Sequence, residues 1–283
     1  MKLTKAVITA AGPNQNQVPL QHLVDLDGDE KTALQIIIEE VVAAGIEAIA
    51  IVTQPGDREA YAEAAGQFAE FLQFLEQPRP RGYGEALHRA AVFVGDDAFV
   101  HLVSDHLYIS GETRRCTQQL VETARKERCP VSAVQATHEA MLPYYGTIGG
   151  RRLEGSDILY LVESVVEKPT PTEAEQSLLI PGLRAGRYLC MFGMHVLTPV
   201  VMEILAAQLA AEPDQRLSLS PALSVLATRE RYLAMELNGA RYNIGVKYGL
   251  LTAQLALALN GRERDEVLGR IIELLATQRQ GGA

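Results

Sequence analysis

Residues 31–53 read KTALQIIIEEVVAAGIEAIAIVT. Over Lys31–Ala44 the apolar positions recur at helical spacing, and Gly45 suits the left-handed turn that ends a helix. Directly beyond it, Glu47–Thr53 (EAIAIVT) is a short β-rich run, which reads as a strand. Upstream, Lys5–Ala10 (KAVITA) is another strand. Downstream, a helix over Asp57–Gln67, a strand over Phe71–Gln77, a helix over Gly84–Phe93 and a strand over Ala98–Ser104 continue the alternation. Helix Thr113–Lys126 and strand Val131–Ala136 follow. Repeated βα units with short connections predict a parallel sheet covered by helices on both faces, with right-handed crossovers.

From Met141 the rhythm changes. Tyr145–Gly149 and Ile158–Val166 read as antiparallel β-pieces, and Pro169–Pro181 as a polar, proline-marked loop. Tyr188–Leu197 is a further strand and Pro199–Ala210 a helix. Lys247–Ala276 reads as two helices broken at Asn260-Gly261. The expected organisation is one domain over 1–246, with halves at about 1–137 and 138–246, and a helical segment over 247–283. The apolar face of that segment, from Leu250 to Leu275, exceeds what docking one helix needs. Core packing is the plain reading and a homodimer contact the alternative.

A chain of 283 residues, 47% hydrophobic, can bury one large core or two small ones. It has no run of about 18 apolar residues that would predict a membrane span. The apolar part of MKLTKAVITAAG is too brief for a secretory signal. Cys116, Cys129 and Cys190 are widely spaced and match no metal-ligand pattern, so a reduced, cytoplasmic protein is expected. With 35 acidic against 26 basic residues and a net charge of −9, nucleic acid is not the expected partner. A phosphorylated small molecule would need positive charge or backbone N–H groups gathered at one place.

Several short stretches carry chemistry. Ala10-Ala11-Gly12 closes the first strand, and Gln77-Pro78-Arg79-Pro80-Arg81-Gly82-Tyr83-Gly84-Glu85-Ala86 follows the third. Glycines there let backbone approach a flat base, and an amide side chain can pair with a base edge. A glycine-rich turn at a helix start would explain the glycines but not the whole string. Asp105, in Ser104-Asp105-His106, stands at the C-terminal end of a predicted central strand, where α/β sheets bind ligands. Magnesium takes oxygen ligands and is often held by one or two carboxylates plus substrate phosphates. A turn-capping aspartate is the plainer alternative, and His106 reads as a partly solvated loop histidine. Tyr145-Gly146, Val166-Glu167-Lys168-Pro169, Gly193–Pro199 (GMHVLTP) and Arg241-Tyr242-Asn243-Ile244-Gly245 complete the series.

In order and spacing these stretches, with Glu39–Ile46 and Ala48–Thr53, resemble the sugar-phosphate nucleotidyltransferases, and among them the bacterial UTP–glucose-1-phosphate uridylyltransferases, over about residues 6–256. The resemblance implies an α/β fold: a three-layer α/β/α nucleotide-binding domain with a mixed central sheet, a β-rich insert and C-terminal helices. It implies a nucleotide site at Ala10, Ala11, Gly12, Gln77 and Gly82. It further implies sugar contacts from Tyr145, Gly146 and Glu167, a sugar-phosphate contact from Lys168, and space for the sugar at Gly193. Asp105 and Asn243 take the positions of the family's two metal-binding aspartates, so Mg²⁺ is the implied cofactor. The partners implied are a nucleoside triphosphate and a sugar phosphate, or a nucleotide-sugar.

The chain departs from the family pattern at the phosphates. The family's A-A-G-x-G-T-R loop with a downstream P-K is replaced by Gly12–Gln21 (GPNQNQVPLQ), which carries neither cation. Asn243 stands where the family has aspartate, and Arg216 and Pro221 replace an acidic pair. Two readings follow. In one the chain transfers a nucleotidyl group, with Arg79 and Arg81 as substitute cations beside the nucleotide. In the other it is a non-catalytic binder of nucleotide-sugars on the same fold. A glycosyltransferase is a third option, but no Asp-x-Asp pair follows a strand at the right place. Asp25-Leu26-Asp27-Gly28-Asp29 lacks the glutamate of a calcium loop and reads as a solvated turn.

Overall fold

Within strand β1 (Leu3–Thr9) the stretch Ala6-Val7-Ile8 runs apolar without alternation, a pattern that suits a strand covered on both faces. In the computed structural model, which describes residues 1–13, 16–212 and 214–278, its Ala6, Val7 and Ile8 are fully buried. Burying one side chain of that size stabilises the fold by about 1.5–3 kcal/mol. The remaining strands, in chain order, are β2 (His22–Val24), β3 (Glu30–Thr32), β4 (Ala48–Thr53), β5 (Leu72–Glu76), β6 (Ala98–Val103), β7 (His106–Ser110), β8 (Val131–His138), β9 (Gly146–Arg152), β10 (Leu159–Glu167), β11 (Arg187–Leu197), β12 (Leu233–Glu236) and β13 (Gly239–Asn243). The helices are α1 (Ala33–Ala43), α2 (Arg58–Ala65), α3 (Tyr83–His88), α4 (Ala91–Val94), α5 (Cys116–Glu127), α6 (Pro171–Ser177), α7 (Val200–Ala211), α8 (Ser220–Arg229), α9 (Gly249–Asn260) and α10 (Arg264–Gln278).

Among the described residues nine strands form one mixed sheet, in the order β5-β4-β1-β6-β11-β8-β12-β10-β9. The first four are mutually parallel. Strand β11 enters antiparallel to both β6 and β8, and β10 antiparallel to β12 and β9. Neighbouring residues of one strand feed opposite layers. Ala6 and Ile8 pack with α1, α2, α5 and α9, while Val7 packs with α3, α4, α7 and α8. The arrangement is the α/β/α sandwich with a mixed sheet expected from the family pattern.

Helix α1 starts two residues later than its apolar spacing suggests, because Thr32 caps it. Gln35 N donates to Thr32 Oγ1 at 3.1 Å, and Thr32 N donates to Gln35 Oε1 at 3.0 Å, closing a capping box. The expected helix over Gly84–Phe93 is two short pieces, α3 and α4, with Arg89 and Ala90 between them. The expected loop over Pro169–Pro181 contains α6, for Pro171 sits in the first turn, where a helix tolerates proline, and Thr170 caps it. On α9, Ala253 and Leu257 are buried, while Leu251, Leu255, Ile272, Leu274 and Leu275 of the two C-terminal helices are exposed. No helix among the described residues is long and apolar enough to cross a membrane.

Candidate active site

The chain steps from β1 to β4 to β5 in one direction, then returns to lay β6 on the other side of β1. At such a reversal the loops leaving the two strands part, and the crevice beyond their C-terminal ends is where α/β sheets bind ligands. Here a cavity of about 460 Å³ opens there. Ala10, Ala11 and Gly12, leaving β1, and Ser104 and Asp105, leaving β6, form part of its lining. Gln77, Gly82, Tyr145, Gly146, Glu167, Lys168, Gly193 and Asn243 line the same cavity. The fold thus gathers residues spread over more than 230 positions, which the sequence shows only as separate motifs.

On one wall, Gln77 is buried with its main-chain N–H on Thr53 O. Its Nε2 donates to Gly82 O at 3.0 Å and to Glu85 Oε2 at 2.5 Å. Gly82 has a φ of +104°, and a Cβ there would run into the Leu217 carbonyl. That position therefore requires glycine for conformation and space alike. Gly84 N in turn donates to Leu217 O at 2.9 Å, which docks the 214–219 loop onto this wall.

Asp105 and Asn243 meet through the β7–β13 ladder, where Asn243 pairs with His106 and Ile244 N donates to Asp105 O at 2.8 Å. His106 is not the solvated loop residue expected from its position. It begins β7, is 7% exposed, and its Nδ1 lies 2.8 Å from Asp105 Oδ1, with Nε2 buried and unpartnered. Burial pushes the Asp105 carboxyl up, but the His106 imidazole outweighs it, aided by Lys168, and holds the group below the usual carboxylate range. Asn243 Oδ1 already accepts from Gly245 N at 2.9 Å. No group of three or more His, Cys, Asp or Glu converges among the described residues. One carboxylate and one partly engaged amide oxygen fit a hard cation that arrives on its substrate's phosphates. They do not make a self-sufficient metal cage.

The opposite wall comes from the β9–β10 hairpin, whose register sets Gly146 across from Glu167. Glu167 Oε2 accepts from Ser220 Oγ at 2.6 Å, and Lys168 Nζ lies 4.0 Å from Oε1. A Cβ on Gly146 would come within 3.0 Å of Ser220 Oγ and 3.3 Å of Glu167 Oε2. Lys168 holds a φ of +49°, a left-handed conformation that costs a non-glycine residue about 1–2 kcal/mol. Its N–H donates to Tyr145 O at 3.2 Å. The Tyr145 ring stacks on the buried Arg241 guanidinium, 3.9 Å from centroid to Cζ. Gly193 lines the cavity, and its position has no room for a side chain. With φ +85°, its Cβ would meet Val103 Cγ2 at 2.8 Å and Tyr108 Oη at 3.3 Å.

The two arginines expected to supply phosphate charge are elsewhere. Neither Arg79 nor Arg81 is among the residues lining the cavity. Arg79 is exposed, and Arg81 turns its Nη2 onto Glu212 O at 3.2 Å while its carbonyl accepts from Leu217 N. The lining contains Arg216 instead, which forms no ion pair among the described residues. In the sequence Arg216 stands out only as a replaced acidic position, since nothing local shows that Leu217 docks its loop beside Gly82. Asn14 and Gln15 of the shortened loop lie outside the described residues. Asn16 is drawn away, its Nδ2 on Asp57 Oδ2 at 2.9 Å and its carbonyl on Tyr61 Oη.

A buried polar chain starts from the cavity lining, to which Thr9 and His195 belong. Thr9 Oγ1 and His101 Nε2 are 3.2 Å apart, and the His101 and His195 rings stack 5.6 Å apart. His195 Nδ1 meets Ser132 Oγ at 2.5 Å, and Ser132 bonds Tyr232. Burial holds His195 down at about 4 and His101 well below its ordinary range.

A family model described as nucleotidyl transferase matches residues 20–258. UTP–glucose-1-phosphate uridylyltransferase of Streptococcus pneumoniae is 31% identical over 301 residues, covering 96% of each chain. A counterpart in Streptococcus pyogenes is 30% identical over 303 residues, covering 96% of this chain and 95% of its own. Among solved structures, a UDP-glucose pyrophosphorylase complexed with UDP-glucose matches with a TM-score of 0.73 at 23% identity, over 90% of this chain and 98% of that one. A UTP-bound UGPase from Acinetobacter baumannii matches at 0.74 and 23%, over 96% and 100%.

Proposed function

The chain belongs to the nucleotidyl transferase family, and from that premise we propose that it joins UTP to glucose 1-phosphate, giving UDP-glucose and pyrophosphate. The observation that carries the proposal is the single cavity at the β1/β6 reversal, lined together by Gln77, Asp105, Glu167 and Lys168. Its size suits a nucleotide-sugar, given that small-molecule sites span about 300–1,000 Å³. The relatives named above for UTP and glucose 1-phosphate support the choice of substrates.

The reaction asks little covalent chemistry of the protein. An oxygen of the sugar phosphate attacks the α-phosphorus in line, and the bond to the bridging oxygen of the β-phosphate breaks as pyrophosphate leaves. Gln77 Oε1 would meet the base, and Glu167 Oε1, left open by Ser220, would accept sugar hydroxyls. Lys168 Nζ would hold the sugar phosphate, its side chain leaving the backbone beside Glu167. Asp105 and Asn243 would hold Mg²⁺ against the phosphates, where the ion supplies charge neutralisation. Arg216, on the nucleotide wall, would add the second positive charge.

A second reading has its own support. No lysine or arginine occurs between Lys5 and Lys31, so the loop after β1 offers the phosphates no cation, and Asn243 Oδ1 is already engaged. These features favour a binder of UDP-glucose without turnover. Calorimetry with UTP and with UDP-glucose, beside a pyrophosphate-release assay with UTP, glucose 1-phosphate and Mg²⁺, separates the two. Release is expected; binding of UDP-glucose without release would establish the second reading, and binding of neither would sink both.

A further inference from the structure

We infer that Glu85, clamped by Arg89, selects the base by fixing the rotation of the Gln77 amide. The inference rests on the reading of Gln77 as the base contact. A glutamine amide has nearly the same outline either way round, but its two ends have opposite hydrogen-bond polarity. Turned one way it offers the base an acceptor; turned the other, a donor. On a free side chain both would be open.

Here one rotation is enforced. Gln77 Nε2 points at two acceptors, the Gly82 carbonyl at 3.0 Å and Glu85 Oε2 at 2.5 Å. A flipped amide would set its oxygen against both. Glu85 is 2% exposed, and its other oxygen, Oε1, takes Arg89 Nε at 2.5 Å. A carboxylate paired with a guanidinium accepts only, so it cannot accommodate the flipped state. Gln77 Oε1 takes no hydrogen bond among the described residues and is not sealed from solvent, and Gln77 lines the cavity. Its acceptor end is therefore the one available to a ligand.

An acceptor set against the ring nitrogen of the base edge matches a base that carries N–H at that nitrogen. Uracil does so at N3, as do thymine at N3 and guanine at N1. Cytosine N3 and adenine N1 present lone pairs instead and would face the Gln77 oxygen unpaired. Glu85 is not among the residues lining the cavity, so it acts through Gln77 as a positioning residue.

The test uses calorimetry of the whole chain with UTP and with CTP, each with Mg²⁺. The native protein is expected to prefer UTP by about 10- to 100-fold, the usual penalty for an unmatched buried acceptor. In Glu85→Gln the introduced oxygen stays with Arg89 and the introduced NH₂ turns toward Gln77, so that only the Gly82 carbonyl still holds the native rotation and the flipped amide becomes populated. The UTP-to-CTP ratio is expected to fall about tenfold or more, with CTP binding tighter in absolute terms. Arg89→Ala removes the partly exposed clamp and is expected to narrow the ratio in the same direction. It carries the test if circular dichroism shows Glu85→Gln unfolded. Loss of structure alone would weaken both nucleotides alike. An unchanged ratio in the folded variants would overturn the role of Glu85 and leave the base site standing. A native protein that binds UTP and CTP equally, or neither, would overturn the base-site reading and this inference with it.

Discussion

Arg216 shows how one residue can alter what a cleft binds. A nucleoside triphosphate carries about four negative charges near neutral pH, and the cavity lining already holds the carboxylates of Asp105 and Glu167. Against them stand Lys168, beside its own Glu167 neighbour, and Arg216. A guanidinium suits phosphate oxygens because its N–H groups form a rigid fork. Arg216→Ala should weaken UTP binding about 10-fold or more, the worth of charge-assisted hydrogen bonds, while UMP binding changes little. Calorimetry with the two ligands reads the difference, and equal losses for both would remove the assignment. Arg216→Lys should recover part of the affinity, since it keeps the charge without the fork.

At the level of elements, the wall proposed for the nucleotide is two loops locked edge to edge. Leu217 N donates to Arg81 O at 2.7 Å, and Gly84 N to Leu217 O at 2.9 Å. Gly82 lies between those bonds in a left-handed conformation, against the Leu217 carbonyl. Gly82→Ala therefore combines backbone strain with direct overlap. It should cost about 1–3 kcal/mol in chemical denaturation and weaken nucleotide binding as the loops separate. A variant of native stability and native affinity would show that the loops yield freely. The glycine string itself is legible in sequence. Its partner loop is not, because more than 130 residues separate Gly82 from Leu217 and only the packing of α7 and α8 against α3 brings them together.

Across the whole molecule, the buried histidine pair at the cleft ties stability to pH. His101 and His195 both titrate below their unfolded value of about 6.5, His195 at about 4. As pH falls, the unfolded chain takes up protons first. The stabilisation is thus complete above about pH 6.5 and is lost progressively from there toward pH 4. By pH 5 His195 should have given up about 2 kcal/mol, one and a half pH units at about 1.4 kcal/mol per unit, and His101 adds to the loss in the same direction. Thermal unfolding at pH 7.5 and pH 5 should show a falling Tm, and His195→Gln should flatten the slope. A slope unchanged by that substitution would place the acid sensitivity elsewhere. Carboxylates held low, such as Asp27 and Asp105, lose their contribution only below about pH 4 and do not share this window.

By itself the sequence determined the layered α/β plan, because apolar runs such as Ala6–Ile8 and Ile49–Val52 need cover on both faces, whereas Ala33–Ala43 needs it on one. It also marked Ala11-Gly12, Gln77, Asp105 and Glu167-Lys168, whose residue types carry a chemical reason within a few positions of chain. Only the tertiary structure decided the rest. It left Arg79 and Arg81 out of the cavity lining and brought Arg216 into it. It buried His106 against Asp105, and it packed Val103 and Tyr108 where a side chain at Gly193 would stand. It also set Glu85 and Arg89 behind Gln77. The reason is physical: a charged side chain is placed by where its backbone turns and by what packs beneath it. Those contacts come from segments far apart in the chain, and local spacing holds no record of them.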